Sequence, residues 1–266
     1  PICLPVKFPL VLAQGVEGIA VGLATKILPH NFVELIQASI KVLEGKKFKL
    51  YPDFQTGGMM DAGDYQSGLR GGKIRVRVKI DKLDKSTLVI REIPYGVTTG
   101  TLMESIVKAS EKGQIKIKKL SDNTAAEVEV LIELQPGVSP DQTIDALYAF
   151  TQCETSISPN SCVIIDNKPV FLAVEEILRQ STFYTQELLR QELTIRLGEL
   201  QEKWHFASLE KIFIEKRIYR DIEECETWED VIDVIGLGLA KYIATPSSKT
   251  KADKRLLLHR DITVED

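Results

Sequence analysis

No apolar run in this sequence approaches the about 20 residues that a membrane-crossing helix needs, and no signal-peptide pattern opens it. Cysteine is sparse. Cys3, Cys153, Cys162 and Cys225 stand far apart, with neither CxxC nor Cys/His ligand spacing, which removes the usual zinc frameworks. Four thiols could pair, but in a chain of 266 residues free thiols in a reducing compartment are the favoured reading. Only three histidines occur, His30, His205 and His259, and none sits in an HExxH, HxE or nucleophile-elbow pattern. Acidic metal clusters of the DxD type are missing. So are the phosphate loops GxxxxGK[ST] and GxGxxG. There is no internal repeat and no low-complexity tract.

What is present is the composition of an ordinary globular protein, 44% hydrophobic and 27% charged, with enough length for two or three domains. The first residue is Pro1, so the chain is expected to be a piece of a longer polypeptide. A net charge of −4 hides a polarity along the sequence. Residues 70–91 hold eight basic side chains against Asp81 and Asp84, whereas residues 199–233 hold eleven acidic against five basic. The two ends are expected to do different jobs.

Phe32, Leu35, Ile36, Ile40 and Leu43 recur at helical spacing, predicting a helix over 32–43 with Asn31 as N-cap and Gly45 as its stop. A turn-rich loop is expected over 51–72. Strict alternation in KIRVRVKI predicts one strand over 73–80, and LVIREIP a second strand closed by Pro94. A helix over 99–112, strands in QIKIKKL and EVEVLIEL, and a helix opened by Ser139 and Pro140 follow. CVIIDNKPVFL reads as a hairpin around Asp166-Asn167-Lys168. After Leu172 the character changes, since proline is absent from Ala173 to Arg220. Leu189, Leu193, Leu197, Leu200 and Trp204 mark one face of a helix of about 32 residues, about 48 Å long. The tail is helical and acidic to Tyr242, and a loose linker, ATPSSKTKADK, leads to the last residues.

Two segments carry chemistry. In the alternating strand Lys73, Arg75, Arg77 and Lys79 point one way while Ile74, Val76, Val78 and Ile80 point the other. Cations about 6.6–6.8 Å apart along a strand are spaced comparably to phosphates along a nucleic-acid strand. Each such contact would steepen the salt dependence of binding, by up to about 4 in slope for all four. The bland alternative is a solvated outer face; Lys116 and Lys118 repeat the device more weakly. The other segment, GVEGIAVGLATKILPHN over 15–31, places Gly15, Gly18 and Gly22 among small apolar residues. Glycine marks tight turns or close backbone approach. Taken alone, the stretch reads as a buried small-residue turn with Ile19 in the core.

Six collinear segments carry a resemblance: LPVKFPLVLAQGVEGIAVGLATKILPHN, PDFQTGG, GKIRVRVKI, LVIREIPYGVTTGTLMESI, LYAFTQCETS and AVEEILRQSTFYTQELLRQ. Together they resemble the A subunit of bacterial type IIA DNA topoisomerases, DNA gyrase and especially topoisomerase IV, over nearly all of residues 4–220. Four departures stand out. Lys26 replaces an asparagine and Leu28 a proline, Gln55 stands where the family has proline, and RGGKIRVRV replaces a TGRG entry to the strand.

The resemblance implies an α+β fold. Residues 1–30 would leave a winged-helix domain, 31–172 form a tower domain with a β-sheet and flanking helices, 173–204 a coiled-coil arm, and 205–266 an incomplete C-gate. It makes Ile19 an apolar wedge between base pairs, with Gly18 and Gly22 letting the backbone near the minor groove. Lys26, His30 and Asn31 would lie beside the DNA with Lys73, Arg75, Arg77 and Lys79. The implied partners are double-stranded DNA, the ATPase B subunit, which would carry magnesium and ATP, and a second A subunit in an A2B2 enzyme of the bacterial cytoplasm and nucleoid. The family cleaves DNA with a tyrosine that follows an arginine. None of the seven tyrosines here follows one, so the chain alone is expected to be catalytically silent, with no cofactor of its own. A non-enzymatic DNA-bending or scaffolding protein that reuses the tower is the rival reading.

Overall fold

The chain enters its fold through a short helix, α1 (Leu10–Gln14), whose Leu12 is fully buried, and then turns back on itself as an antiparallel hairpin, β1 (Val16–Ala20) and β2 (Leu23–Ile27). The computed structural model describes residues 5–244, 246 and 255–266; Cys3 and most of the expected linker lie outside these. α2 (Phe32–Leu43) forms as its spacing requires, burying Leu35, Ala38 and Val42. Asn31 caps it: the side-chain oxygen accepts from the N–H groups of Val33 (2.9 Å) and Glu34 (3.2 Å), two donors that the helix itself leaves unpaired.

The expected loop over 51–72 contains a short strand, β3 (Met59–Asp61), too brief to show a period. The alternating segment is not one strand but two, β4 (Ile74–Arg77) and β5 (Lys79–Lys82), in different sheets. The in-out alternation nevertheless runs unbroken, with Ile74, Val76 and Val78 fully buried. Ile74 and Val76 pack into a core with Leu12, Leu35, Tyr65 and Leu178. Val78 packs into another, with Leu88, Ile90, Leu102, Ile106 and Ile132. One apolar face therefore serves two cores, and the ladder breaks where it passes between them.

β6 (Thr87–Glu92), α3 (Thr99–Glu111), β7 (Ile117–Asp122), β8 (Val130–Leu134) and α4 (Pro140–Phe150) follow. β5, β6, β8 and β7, in that order, make an antiparallel sheet whose core-facing residues pack with those of α3 and α4. Thr98 and Thr101 close a capping box at the start of α3. Ser139 occupies the N-cap of α4, yet its hydroxyl makes no capping bond, and Pro140 alone starts the helix. β9 (Glu154–Ile157) completes a sheet of order β3-β4-β9. β10 (Cys162–Ile165) and β11 (Lys168–Phe171) form the expected hairpin, with Asp166 and Asn167 both at positive φ in its turn.

The long helix α5 (Val174–Glu215) has 42 residues rather than about 32. Leu209 and Ile212 extend the apolar pattern past the onset of acidic sequence, and Arg217 at φ +57° follows its end. Leu189, Leu193, Leu197, Leu200 and Trp204 are all exposed. Contacts separate two compact units, 1–186 and 187–266. The second also holds α6 (Trp228–Ala240) and a short parallel pair, β12 (Ile243–Ala244) and β13 (Leu256–Leu257). Leu209, Ile212, Ile218, Leu239, Ile243 and Leu258 form its core. Arg260 ties the closing segment to α5, pairing with Glu202 (2.9 Å) and Asp266 (2.7 Å). With Arg260 and His259 beside it, the Glu202 carboxyl is pulled down to about 2. Cys153, Cys162 and Cys225 are free thiols, and burial pushes that of Cys153 up to about 11. No described helix is long and apolar enough to cross a membrane.

Candidate nucleic-acid interface

Most of the glycine-rich segment is exposed and regular, and only its end, from Ile27 to His30, turns inward. It is the β1–β2 hairpin, all five residues of β1 exposed, with Ala20 opposite Leu23 and Val21-Gly22 as the turn. Gly22 takes φ +78°, the positive value that the third position of a type II turn needs. Gly15 has a different reason. At φ +72°, a β-carbon there would lie 2.8 Å from the Ile27 carbonyl and the Pro29 nitrogen, so glycine lets the hairpin's two ends meet. Gly18 has no such need, because a β-carbon would meet only Thr25 Cγ2, at 3.8 Å. Ile19 is 90% exposed and Val21 wholly so, and Lys26 bonds across the hairpin to Glu17 at 3.0 Å.

The base of this hairpin is fastened. Lys26 and Asn160 exchange backbone hydrogen bonds (2.8 and 3.0 Å), the Asn160 side-chain amide donates to Ala24 O (2.6 Å), and Thr25 Oγ1 donates to Cys162 O (2.8 Å). His30, expected at the DNA, lies inside at 4% exposure. With Nδ1–H donating to Leu12 O (3.3 Å), Nε2 accepts from the Tyr65 hydroxyl (3.4 Å). The ring presents no edge to a ligand and instead joins α1 to the loop that holds Tyr65. Asn31 is engaged as well, donating to Asp53 at 2.9 Å while it caps α2.

Burial holds the His30 ring below its ordinary pKa. The unfolded chain then takes up a proton before the folded one does, so stability is full above the unfolded value, about 6.5, and declines as pH falls below it. The unfolding midpoint of the unmodified chain is expected to drop more between about pH 7.5 and 5.5 than that of His30→Gln. Equal drops in denaturant titrations would contradict this.

The cations of the alternating segment all stay on the exposed face, yet three of them meet carboxylates from other strands. Arg75 bonds Asp61 of β3 (2.7 Å), Arg77 bonds Glu154 of β9, and Lys79 faces Glu92 of β6 (3.7 Å). Arg77 also lies over the Tyr148 ring, 5.0 Å from its centre. The face therefore mixes signs, contrary to the uncompensated row expected from the sequence, because its acids come from segments remote in the chain. Lys118 similarly pairs with Glu133. Lys73 is exposed and makes no ion pair among the described residues.

The chain thus presents an exposed apolar hairpin and, in the same compact unit, a strand face rich in basic residues. A model of the family described as the A subunit of DNA gyrase/topoisomerase IV matches residues 1–242. The chain belongs to this family. The topoisomerase 4 A subunit of Borreliella burgdorferi is 40% identical over 235 residues, covering 88% of this chain and 37% of that protein. The DNA gyrase A subunit of Lawsonia intracellularis is 34% identical (77% and 27% covered), and that of Neisseria gonorrhoeae 30% (78% and 25%). The chain spans between 25% and 37% of the length of these curated relatives.

Within the framework of the gyrase/topoisomerase IV family, Ile19 and Lys26 share the hairpin, Lys73, Arg75, Arg77 and Lys79 share the basic face, and His30 and Asn31 support the fold beneath. Val21 escaped the sequence reading, because it sits in the turn, where only the hairpin register reveals its exposure. Arg70, read as the start of the basic stretch but not as a site residue, is exposed too. Among the described residues no group of three His, Cys, Asp or Glu side chains is placed to hold a metal ion.

Proposed function

We propose that this chain is the DNA-gripping and DNA-bending part of an ATP-dependent type II DNA topoisomerase, which passes one duplex through a transient double-strand break in another. One observation carries the reading: Ile19 stands 90% exposed on a hairpin whose base is anchored by Asn160 and Cys162. An exposed isoleucine on a rigid support can enter a base step and kink the duplex, the unstacking being offset by the added contact that a bend allows. Gly18 supports it too, since the fold leaves space for a side chain there and a close-lying groove would not.

In this reading the B subunit supplies ATP hydrolysis and magnesium. The exposed leucine row of α5 supports a coiled-coil arm, and residues 205–266 contribute to a gate where two such chains dimerise. Bending by the purified chain tests the proposal. Energy transfer between dyes at the two ends of a short duplex should rise as the chain is added, and unchanged transfer at saturation would overturn it.

A further inference from the structure

Residues 64–73 form a closed loop, its ends joined by the bond from the Lys73 N–H to the Asp64 carbonyl (2.8 Å). Three tight turns fill it: Gly68 N–H bonds Tyr65 O, Leu69 N–H bonds Gln66 O, and Gly72 N–H bonds Leu69 O. Gln66 (φ +49°), Ser67 (+53°) and Gly68 (+81°) are successive left-handed residues, two of them with side chains, an arrangement that persists only where its surroundings impose it. Those surroundings are visible. Tyr65 is buried, and the Ser161 N–H and hydroxyl both bond Gly68 O, at 3.0 and 2.9 Å. The outcome of this strained winding is Arg70, placed with Gly71 (φ +98°) at the corner of the last turn, three residues before Lys73.

Arg70 and Lys73 are both exposed, and neither pairs with a carboxylate among the described residues; Asp61, which precedes the loop, is taken by Arg75. The paired and unpaired cations thus separate cleanly. Arg75, Arg77 and Lys79 are compensated within the fold, while Arg70 and Lys73 are not. The segment that fixes this loop also fixes the hairpin: Asn160 holds Ala24 and Lys26, Ser161 holds Gly68, and Cys162 holds Thr25.

We infer that Arg70 and Lys73 form a binding site for the backbone phosphates of duplex DNA, set at a fixed register from Ile19 by the segment 160–162. This rests on the DNA-bending reading above. An uncompensated cation releases counterions from DNA on binding, whereas one already facing a carboxylate gains little net charge contact. Three residues holding both parts allow the phosphate grip and the wedge to act at one spacing.

Titrating a short fluorescent duplex between about 50 and 200 mM salt tests this, because each lost phosphate contact lowers the log–log slope by about 0.9. Arg70→Ala with Lys73→Ala should flatten the slope by about 2. The triple variant Arg75→Ala, Arg77→Ala, Lys79→Ala should change it by less than about 1. An unchanged slope in the double variant, or a larger change in the triple, overturns the assignment while leaving DNA bending intact. If the unmodified chain shows no salt-dependent binding at all, the DNA reading itself fails. The register is tested separately with Asn160→Ala, which removes no charge. Energy transfer on the bound duplex should fall while the salt slope stays, and retained bending would overturn the coupling.

Discussion

Ile19→Ala is expected to leave the fold untouched and to remove most of the DNA bending. The residue is 90% exposed and belongs to no core cluster, so truncating it opens no cavity and forfeits almost no burial within the chain. Whatever the substitution changes must therefore come from what Ile19 touches outside the chain. Bending a short site through a large angle costs on the order of 1–6 kcal/mol, and a wedge offsets part of that by holding a step unstacked. Its loss is expected to weaken binding to a bendable duplex about tenfold, or about 1.4 kcal/mol, with the melting temperature unchanged. Val21→Ala, in the same hairpin turn, serves as a comparison. Energy transfer that rises as fully in Ile19→Ala as in the unmodified chain would rule the wedge out.

Gly72→Ala is expected to be among the most damaging glycine substitutions in the chain. A β-carbon there would overlap the Tyr65 carbonyl oxygen and lie 3.1 Å from that of Leu69. Both are main-chain atoms inside a loop of consecutive turns, so no flexible side chain can move aside. Overpacking of this kind costs about 1–3 kcal/mol and sometimes more. At about 3 kcal/mol, the first unit would melt roughly 6–12 °C lower. Gly113→Ala is the control: its φ is +75°, but a β-carbon would meet nothing within 4 Å. Only the left-handed backbone penalises it, by about 1–2 kcal/mol. Equal melting points for the two variants would show that the loop gives way easily. Were that so, the loop would also make a poor rigid mount for Arg70.

Much of the fold was legible because local rules decide it. Asn31 caps α2 since its short side chain reaches two helix N–H groups, and Pro140 starts α4 because its fixed φ suits a first turn. The alternation in KIRVRVKI predicted which side chains point inward, and it held even where the strand broke in two. That the leucines of α5 share one face followed from spacing alone, although their exposure did not and the helix runs further than expected. The six collinear segments, each ordinary alone, together placed the chain in its family, and the match over residues 1–242 bears that out.

What only the tertiary structure decided concerns partners brought from far along the chain. Asp61, Glu92 and Glu154 neutralise a row that looked uncompensated, because cross-strand register joins segments up to 77 residues apart. His30 lost its place at the surface to Leu12 and Tyr65, neither of which is near it in sequence. The glycine-rich stretch, read alone as a buried turn, became an exposed hairpin because Asn160 and Cys162 take up the edge of β2. Sequence pattern sets the direction in which a side chain points. Whether that direction leads to solvent, to a carboxylate or to a core depends on which distant strand lies alongside.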